Sequence, residues 1–186
     1  MRVIRTEKEV DMEFSKLIYE RNSIRSYESA IPHEDLVAVL KAAQRAPSWK
    51  NQQTSRCYAV ESPELLKSFR EEVLPPFNAK NAANAALIVT TFVKGVVGFN
   101  DDGPANEVGN GWGAYDLGLH DAFLILAASD LGYDTLIMGI RDGSAIREKL
   151  GIPGNEQVMS VIAIGKRAKD ASPRPRKELE EVTKFF

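Results

Sequence analysis

The residues with the most chemical promise sit near the two ends of the chain. The stretch Arg21-Asn22-Ser23-Ile24-Arg25-Ser26-Tyr27 sets two guanidinium groups on either side of a serine. In an extended segment, side chains two apart share a face, so Arg21, Ser23 and Arg25 line one side while Ile24 and Tyr27 anchor others. Four residues of extended chain span about 13 Å, which suits an elongated anion gripped at both ends. Arginine presents a planar fork of donors that matches phosphate, and each charge-assisted hydrogen bond contributes about 1.5–3 kcal/mol. The pattern alone also describes a solvated strand edge.

A second concentration of cations lies in Lys166-Arg167-Ala168-Lys169-Asp170-Ala171-Ser172-Pro173-Arg174-Pro175-Arg176-Lys177. Its prolines hold the chain extended, so Arg174 and Arg176 point the same way, toward an anion or into solvent. Between the two ends, Ala46-Pro47-Ser48-Trp49-Lys50-Asn51-Gln52-Gln53 offers small and amide side chains after a proline, a loop able to read a polar ring edge or simply to cap a turn. Cys57, His33 and His120 are the only thiol and imidazoles, and no metal-ligand spacing joins them. Cys57 reads as a buried structural thiol and His120 as a hydrogen-bonded core or interface histidine. Gly109-Asn110-Gly111-Trp112-Gly113 lacks the order and the preceding strand of a dinucleotide-binding turn; it reads as a loop, as does Lys94–Glu107.

These residues need a scaffold, and the chain has enough material for one. Its 186 residues fit a single domain, 1–186, and 44% hydrophobic against 27% charged residues is an ordinary globular balance. A net charge of -2 argues against nucleic acid as a partner. One cysteine rules out an internal disulfide, the N-terminal residues carry charges where a signal peptide needs an apolar core, and the apolar stretches are too short to span a bilayer. A cytoplasmic protein without a membrane partner is the expectation.

Cys57–Val60, Leu87–Val93, Asp134–Met138 and Val158–Ile164 read as strands, alternating with helical patterns, which predicts an α/β or mixed α+β core. Glu7–Glu20 reads as a helix with Val10, Phe14, Leu17 and Ile18 on one face. Another opens at Pro32, carries Leu36, Val37, Leu40 and Ala43, and stops at Pro47. Tyr115–Leu131 is apolar nearly all round and ends at Gly132, so it is expected to be buried on nearly all sides, one of them covered by a second protomer.

Taken in order, these pieces resemble the FMN-dependent nitroreductase family over nearly the whole chain. Arg21-Asn22-Ser23-Ile24-Arg25 matches that family's Arg-x-Ser-x-Arg/Lys stretch, and Pro47-Ser48-Trp49-Lys50-Asn51-Gln52-Gln53 matches in part its Pro-Ser-Ser-x-Asn-x-Gln-Pro-Trp loop. Asp116-Leu117-Gly118, Met138-Gly139-Ile140 and Pro173-Arg174-Pro175-Arg176-Lys177 follow in the family's order. Trp49 stands where the family often has serine, Thr54-Ser55 replaces Pro-Trp, and Tyr27 replaces a common Phe.

The resemblance implies a central mixed sheet flanked by helices in a domain-intertwined homodimer. It implies FMN held at its phosphate by Arg21, Arg174 and Arg176, with Ser23 and its neighbour Asn22 along the ribityl chain and Arg25 at the pyrimidine edge, where a fixed cation stabilises the reduced ring. Backbone N–H groups around Gly139 and Ile140 would face flavin N5, and Asn78 and Lys80 the ring's polar edge. Pro47, Ser48, Trp49 and Asn51 would approach the flavin of the other protomer, Trp49 by stacking, by filling the substrate pocket or as plain packing. No side chain need act as acid, base or nucleophile. The implied activity is transfer of hydride from NAD(P)H through the flavin to a small organic acceptor such as a nitroaromatic or quinone, in ping-pong order. Reductive dehalogenation, flavin breakdown, heterocycle dehydrogenation and non-catalytic flavin binding are the alternatives on the same fold.

Overall fold

The computed structural model describes residues 14–96 and 98–186. Most of the expected Glu7–Glu20 helix, Val10 included, lies outside them; the described part is α1 (Phe14–Glu20), with Leu17 its one buried residue.

The sheet is built around its last strand. β7 (Glu156–Arg167) pairs antiparallel with β3 (Ala86–Val93) along one edge, and β1 (Tyr27–Ala30) continues that edge where β3 ends. The other edge carries β6 (Asp134–Met138), and β2 (Ser55–Val60) pairs outside β3. These ladders are antiparallel throughout. The parallel element expected of a mixed sheet is reduced to one isolated bridge, Ser23 to Thr135 on the outer edge of β6.

The four strands expected from sequence all form, β6 with the expected bounds and β7 longer by two residues at its start and three at its end. β3 is buried from Ala86 to Phe92, which requires cover on both faces of the sheet. The period of two divides it accordingly. Leu87 and Val89 join Phe69, Ile146 and Val161 on one face; Ala86 and Ile88 join Leu36, Leu124 and Ile162 on the other. The first face is roofed by α3 (Pro63–Val73) and α6 (Gly143–Leu150), with the short α4 (Pro76–Asn81) beside them; the second is roofed by α2 and α5.

α2 (His33–Ala43) places Pro32 at the N-cap rather than at the first helical position, and it ends four residues before Pro47. α5 (Gly111–Asp130) starts four residues earlier than expected, so Gly111-Trp112-Gly113 is helix rather than loop. Gly113 makes this possible. A Cβ there would lie 2.2 Å from the Phe92 ring, so only glycine lets the helix lie so close to β3. α5 buries Asp116, Leu117, Asp121, Leu124 and Ala128 against the sheet. Its other face is open in the single chain, with Tyr115 61% and Phe123 41% exposed. The expected all-round burial is therefore half realised.

The segment expected as a loop at Lys94–Glu107 carries a two-residue hairpin, β4 (Phe99–Asn100) with β5 (Gly103–Pro104). Beyond β7 the chain runs without regular structure to α7 (Leu179–Val182). Among the described residues no helix is long and apolar enough to cross a membrane.

Candidate functional site

Two segments far apart in sequence meet at the C-terminal end of β7. Ser23, Arg25 and Ser26 form one wall of a groove of about 470 Å³, and residues 169–175, Arg174 among them, form the other. The cations Arg25, Lys169 and Arg174 and the hydroxyls of Ser23, Ser26 and Ser172 are a donor set suited to phosphate and polyol oxygens. Asp170 also lines the groove, with its carboxylate 3.0 Å from Arg167 Nη1. Arg21 and Arg176 do not line it. The Arg21 backbone N–H closes α1 by donating to the Leu17 carbonyl at 3.1 Å, and Asn22 donates its side-chain amide to the Glu20 carbonyl at 2.9 Å.

The Ser23–Thr135 bridge gives this segment a direction. It is parallel, supported by the Ile24 N–H donating to the Thr135 carbonyl at 3.0 Å, so the segment runs beside β6 in the same direction there, before Ser26 meets Ala168 just beyond the end of β7. The four steps from Thr135 to Gly139 cover about 13 Å along that edge.

At the far end the backbone is turned outward by two side chains that grip its carbonyls. Arg141 donates to the Gly139 carbonyl through Nη1 at 3.2 Å, and to the Val158 carbonyl through Nη2 at 2.6 Å. Asn78, only 7% exposed, donates Nδ2 to the Ile140 carbonyl at 2.9 Å. In a planar trans peptide the N–H points opposite to the preceding carbonyl, so the N–H groups of Ile140 and Arg141 face away from these side chains. A Cβ built at Gly139 meets nothing within 4 Å, so there is room above the backbone for a flat ligand. Lys80 is exposed near the end of α4.

The third expected set lies elsewhere. Pro47 and Ser48 line a separate cavity of about 640 Å³ with Gln53, Arg56, Cys57 and His120, and it shares no residue with the groove. Trp49 packs on Trp112, ring centroids 4.5 Å apart, and Trp112 meets Tyr115 edge-on at 5.5 Å. The Trp49 backbone N–H donates to Asp116 Oδ2 at 2.8 Å. Burial pushes the Asp116 carboxyl above its ordinary pKa, and the Trp49 hydrogen bond pulls the other way. Lys50, Asn51 and Gln53 have φ of 47°, 56° and 49°, in the left-handed region that non-glycine residues rarely adopt. Sequence reasoning singled out this loop but not its fastenings, Asp116 and Trp112. A carboxylate within an otherwise apolar helix was the available signal, since a buried carboxylate needs a donor.

Behind the same cavity, His120 Nδ1 lies 3.3 Å from Asp121 Oδ1 and His120 Nε2 lies 4.0 Å from Cys57 Sγ. Asp121 also accepts from Thr90 Oγ1 at 3.2 Å. Burial, and secondarily the Asp121 carboxylate, push the Cys57 thiol up from 9.0 to about 12, the behaviour of an inert thiol. His120 is hydrogen-bonded as expected, whereas Cys57 is half-buried and lines the cavity rather than being fully buried.

An antiparallel sheet roofed on both faces, with a cationic groove at the end of β7, defines an α+β protein with a site suited to an anion. The comparisons place it more closely. The family model described as the nitroreductase family matches residues 18–166. A protein of Archaeoglobus fulgidus provisionally named NADH dehydrogenase/NAD(P)H nitroreductase is 32% identical over 165 residues, 81% of this chain and 83% of that one. An NADPH-dependent oxidoreductase of Staphylococcus haemolyticus is 26% identical, covering 89% of this chain and 70% of its own. Among solved structures, an FMN-containing oxidoreductase is 29% identical with a TM-score of 0.73, covering 86% of this chain and 79% of that one. A protein from Exiguobacterium sibiricum in complex with FMN has a TM-score of 0.83 at 22% identity, with 94% and 98% coverage, and so attests the fold. The chain belongs to the nitroreductase family and is an oxidoreductase of that family.

Proposed function

We propose that residues 1–186 form one flavin-binding unit that works as a homodimer, using FMN to pass electrons from NAD(P)H to a small organic acceptor, a nitroaromatic or a quinone, in ping-pong order. The observation that carries this is the meeting of Arg25 and Arg174 in one groove beside the Ser23–Thr135 bridge. FMN, when bound, supplies the two-electron chemistry; the chain binds and orients it. Arg174 holds the phosphate together with Arg21 and Arg176, which lie outside the groove in the single chain. Ser23, beside Asn22, meets the ribityl chain. Arg25 stands at the pyrimidine edge. The N–H groups near Gly139 and Ile140 donate to the ring, with Asn78 fixing that backbone and Lys80 at the polar edge.

Pro47, Ser48, Trp49 and Asn51 belong to the same active site only across a dimer, because in one chain Pro47 and Ser48 line a cavity apart from the groove. The open face of α5, with Phe123 and Tyr115, is the surface for the second copy. Trp49, stacked on Trp112, presents an aromatic wall to that copy's acceptor.

The test begins with the purified protein. Acid-released pigment is expected to be FMN in about one equivalent per chain. Initial rates with a quinone at several fixed NADH or NADPH concentrations should give parallel double-reciprocal lines, and intersecting lines would overturn the ping-pong order. Phe123→Glu should sediment as a monomer and lose FMN; a monomeric variant that keeps FMN would overturn the shared site.

A further inference from the structure

Behind the groove, outside its lining except for Asp170, lies a cluster of charges paired with one another. Arg167, the last residue of β7, makes a fork with Asp134, the first residue of β6: Nε to Oδ2 at 2.8 Å and Nη2 to Oδ1 at 2.6 Å. Its remaining nitrogen, Nη1, goes to Asp170 at 3.0 Å. We propose that this cluster is a positioning device for the phosphate end of the groove, an inference that rests on the flavin reading above.

Its place in the fold supports this. Asp134 precedes Thr135, the residue bridged to Ser23, so one side of the ion pair is tied to the first wall of the groove. Arg167 is where the chain leaves the sheet to become the second wall, and the next residue, Ala168, donates its N–H to the Ser26 carbonyl at 2.9 Å. Beyond that point, among the described residues, the Arg167–Asp170 contact is the only hydrogen bond made by residues 169–175, with Ala171 packed on the core. The direction in which Arg174 departs is therefore set at its root. A guanidinium forked on a carboxylate fixes an angle as well as a distance, which an ammonium does not.

The cluster also governs the field in the groove. Asp170 lines the groove and Asp134 lies behind it; Arg167 engages both, and among the described residues Arg25, Lys169 and Arg174 have no carboxylate partner. Three of the five N–H donors of Arg167 are taken by carboxylates and the residue does not line the groove, so it positions the site rather than binding the ligand.

The experiment compares FMN with riboflavin, which lacks only the phosphate, by quenching of flavin fluorescence on titration with the apoprotein. Asp134→Asn separates position from field by the sign of its effect. It removes a negative charge near the groove, so a pure field effect tightens FMN; a lost clamp weakens it. We expect the FMN Kd to rise about tenfold, about 1.4 kcal/mol, while the riboflavin Kd stays within about twofold. Arg167→Lys, which keeps the charge and loses the fork, should act in the same direction. Asp170→Asn, on a side chain 88% exposed, supplies a smaller rise of about threefold should Asp134→Asn or Arg167→Lys fail to fold. Tighter FMN binding, unchanged discrimination, or equal weakening of both flavins would overturn the clamp and leave the flavin assignment standing. Wild-type protein that binds riboflavin as tightly as FMN would instead overturn the phosphate groove itself.

Discussion

The groove at Ser23–Arg174 and the loop at Pro47–Gln53 are both polar, both near the chain surface, and fastened in different ways. The groove walls have ordinary extended backbone and are held by charge, through a buried carboxylate and its forked arginine. Among the described residues the loop has no ion pair with another segment. Three left-handed residues within four positions are kept in place by the Trp49–Asp116 hydrogen bond, the Gln53 N–H on Ser48 Oγ at 3.0 Å and the Trp49–Trp112 stack. Conformations of this kind cost about 1–3 kcal/mol each and persist where the surroundings over-determine them. A charge-fastened region discriminates ligands by charge; a strained one spends stability to hold a shape. Substitutions should therefore alter affinity in the first and stability in the second.

The largest expected effect is in the groove. Arg174→Ala should weaken FMN by about 1.5–3 kcal/mol, roughly 10- to 150-fold, with riboflavin unchanged, whereas Arg25→Ala should weaken both flavins, as titrations of the two ligands would show. Equal responses of the two variants would erase the division between phosphate and ring ends.

Beneath the loop, Cys57 offers a chemical probe of comparable size. With its pKa near 12 the folded thiol is about 0.1% ionised at pH 9, against about half in the unfolded chain, so alkylation by iodoacetamide at pH 9 should be about 500-fold slower before urea than after it. The sign for stability follows. The fold favours the protonated thiol, so this contribution is whole below pH 9 and drains away as pH climbs toward 12. Fast alkylation of the native protein would show the cavity floor to be open.

Trp112→Ala removes the stack and should lower stability by about 2 kcal/mol in urea titration while changing kcat/KM for a quinone and leaving the FMN Kd within about twofold. A large change in FMN affinity would break the contrast between the regions. The smallest effect is the most diagnostic of strain. Lys50→Gly should stabilise the protein by about 0.5–1 kcal/mol, a rise of about 2–4 °C in Tm, because glycine accepts a positive φ without steric cost. A loss of stability would mean that the lysine side chain, not the backbone, holds the loop.

Legibility in the sequence followed where the energy resides. β3 and β7, whose apolar runs are buried on both faces, announce themselves because one side chain after another must leave water. β1, Tyr-Glu-Ser-Ala, has one buried residue in four and forms only because β7 offers it a partner, a long-range cause with no local pattern. α3 carried a readable start, Ser62 capping Leu65 N–H ahead of Pro63, although its place on the sheet was not predictable from it. The early start of α5 escaped a local reading since three glycines within Gly109–Gly113 oppose helix, and the reason one is tolerated, the Phe92 ring beneath Gly113, lies on another strand. At the site, the residue types were legible and the pairings were not. Arginines at both ends pointed to an anion, but that Arg167 would be consumed by Asp134 and Asp170 depends on a fold that brings residues 134 and 167 together.

The single bridge at Ser23 leaves most of the outer edge of β6 without a neighbouring strand among the described residues, and Ile137 on it is 47% exposed. A bare sheet edge with an apolar side chain is a template on which other chains can nucleate. A ring system lying along that edge would act as its lid, making the pigment a safeguard against self-association as well as a reagent. Light scattering on heating should thus rise earlier in bleached preparations than in yellow ones at equal concentration.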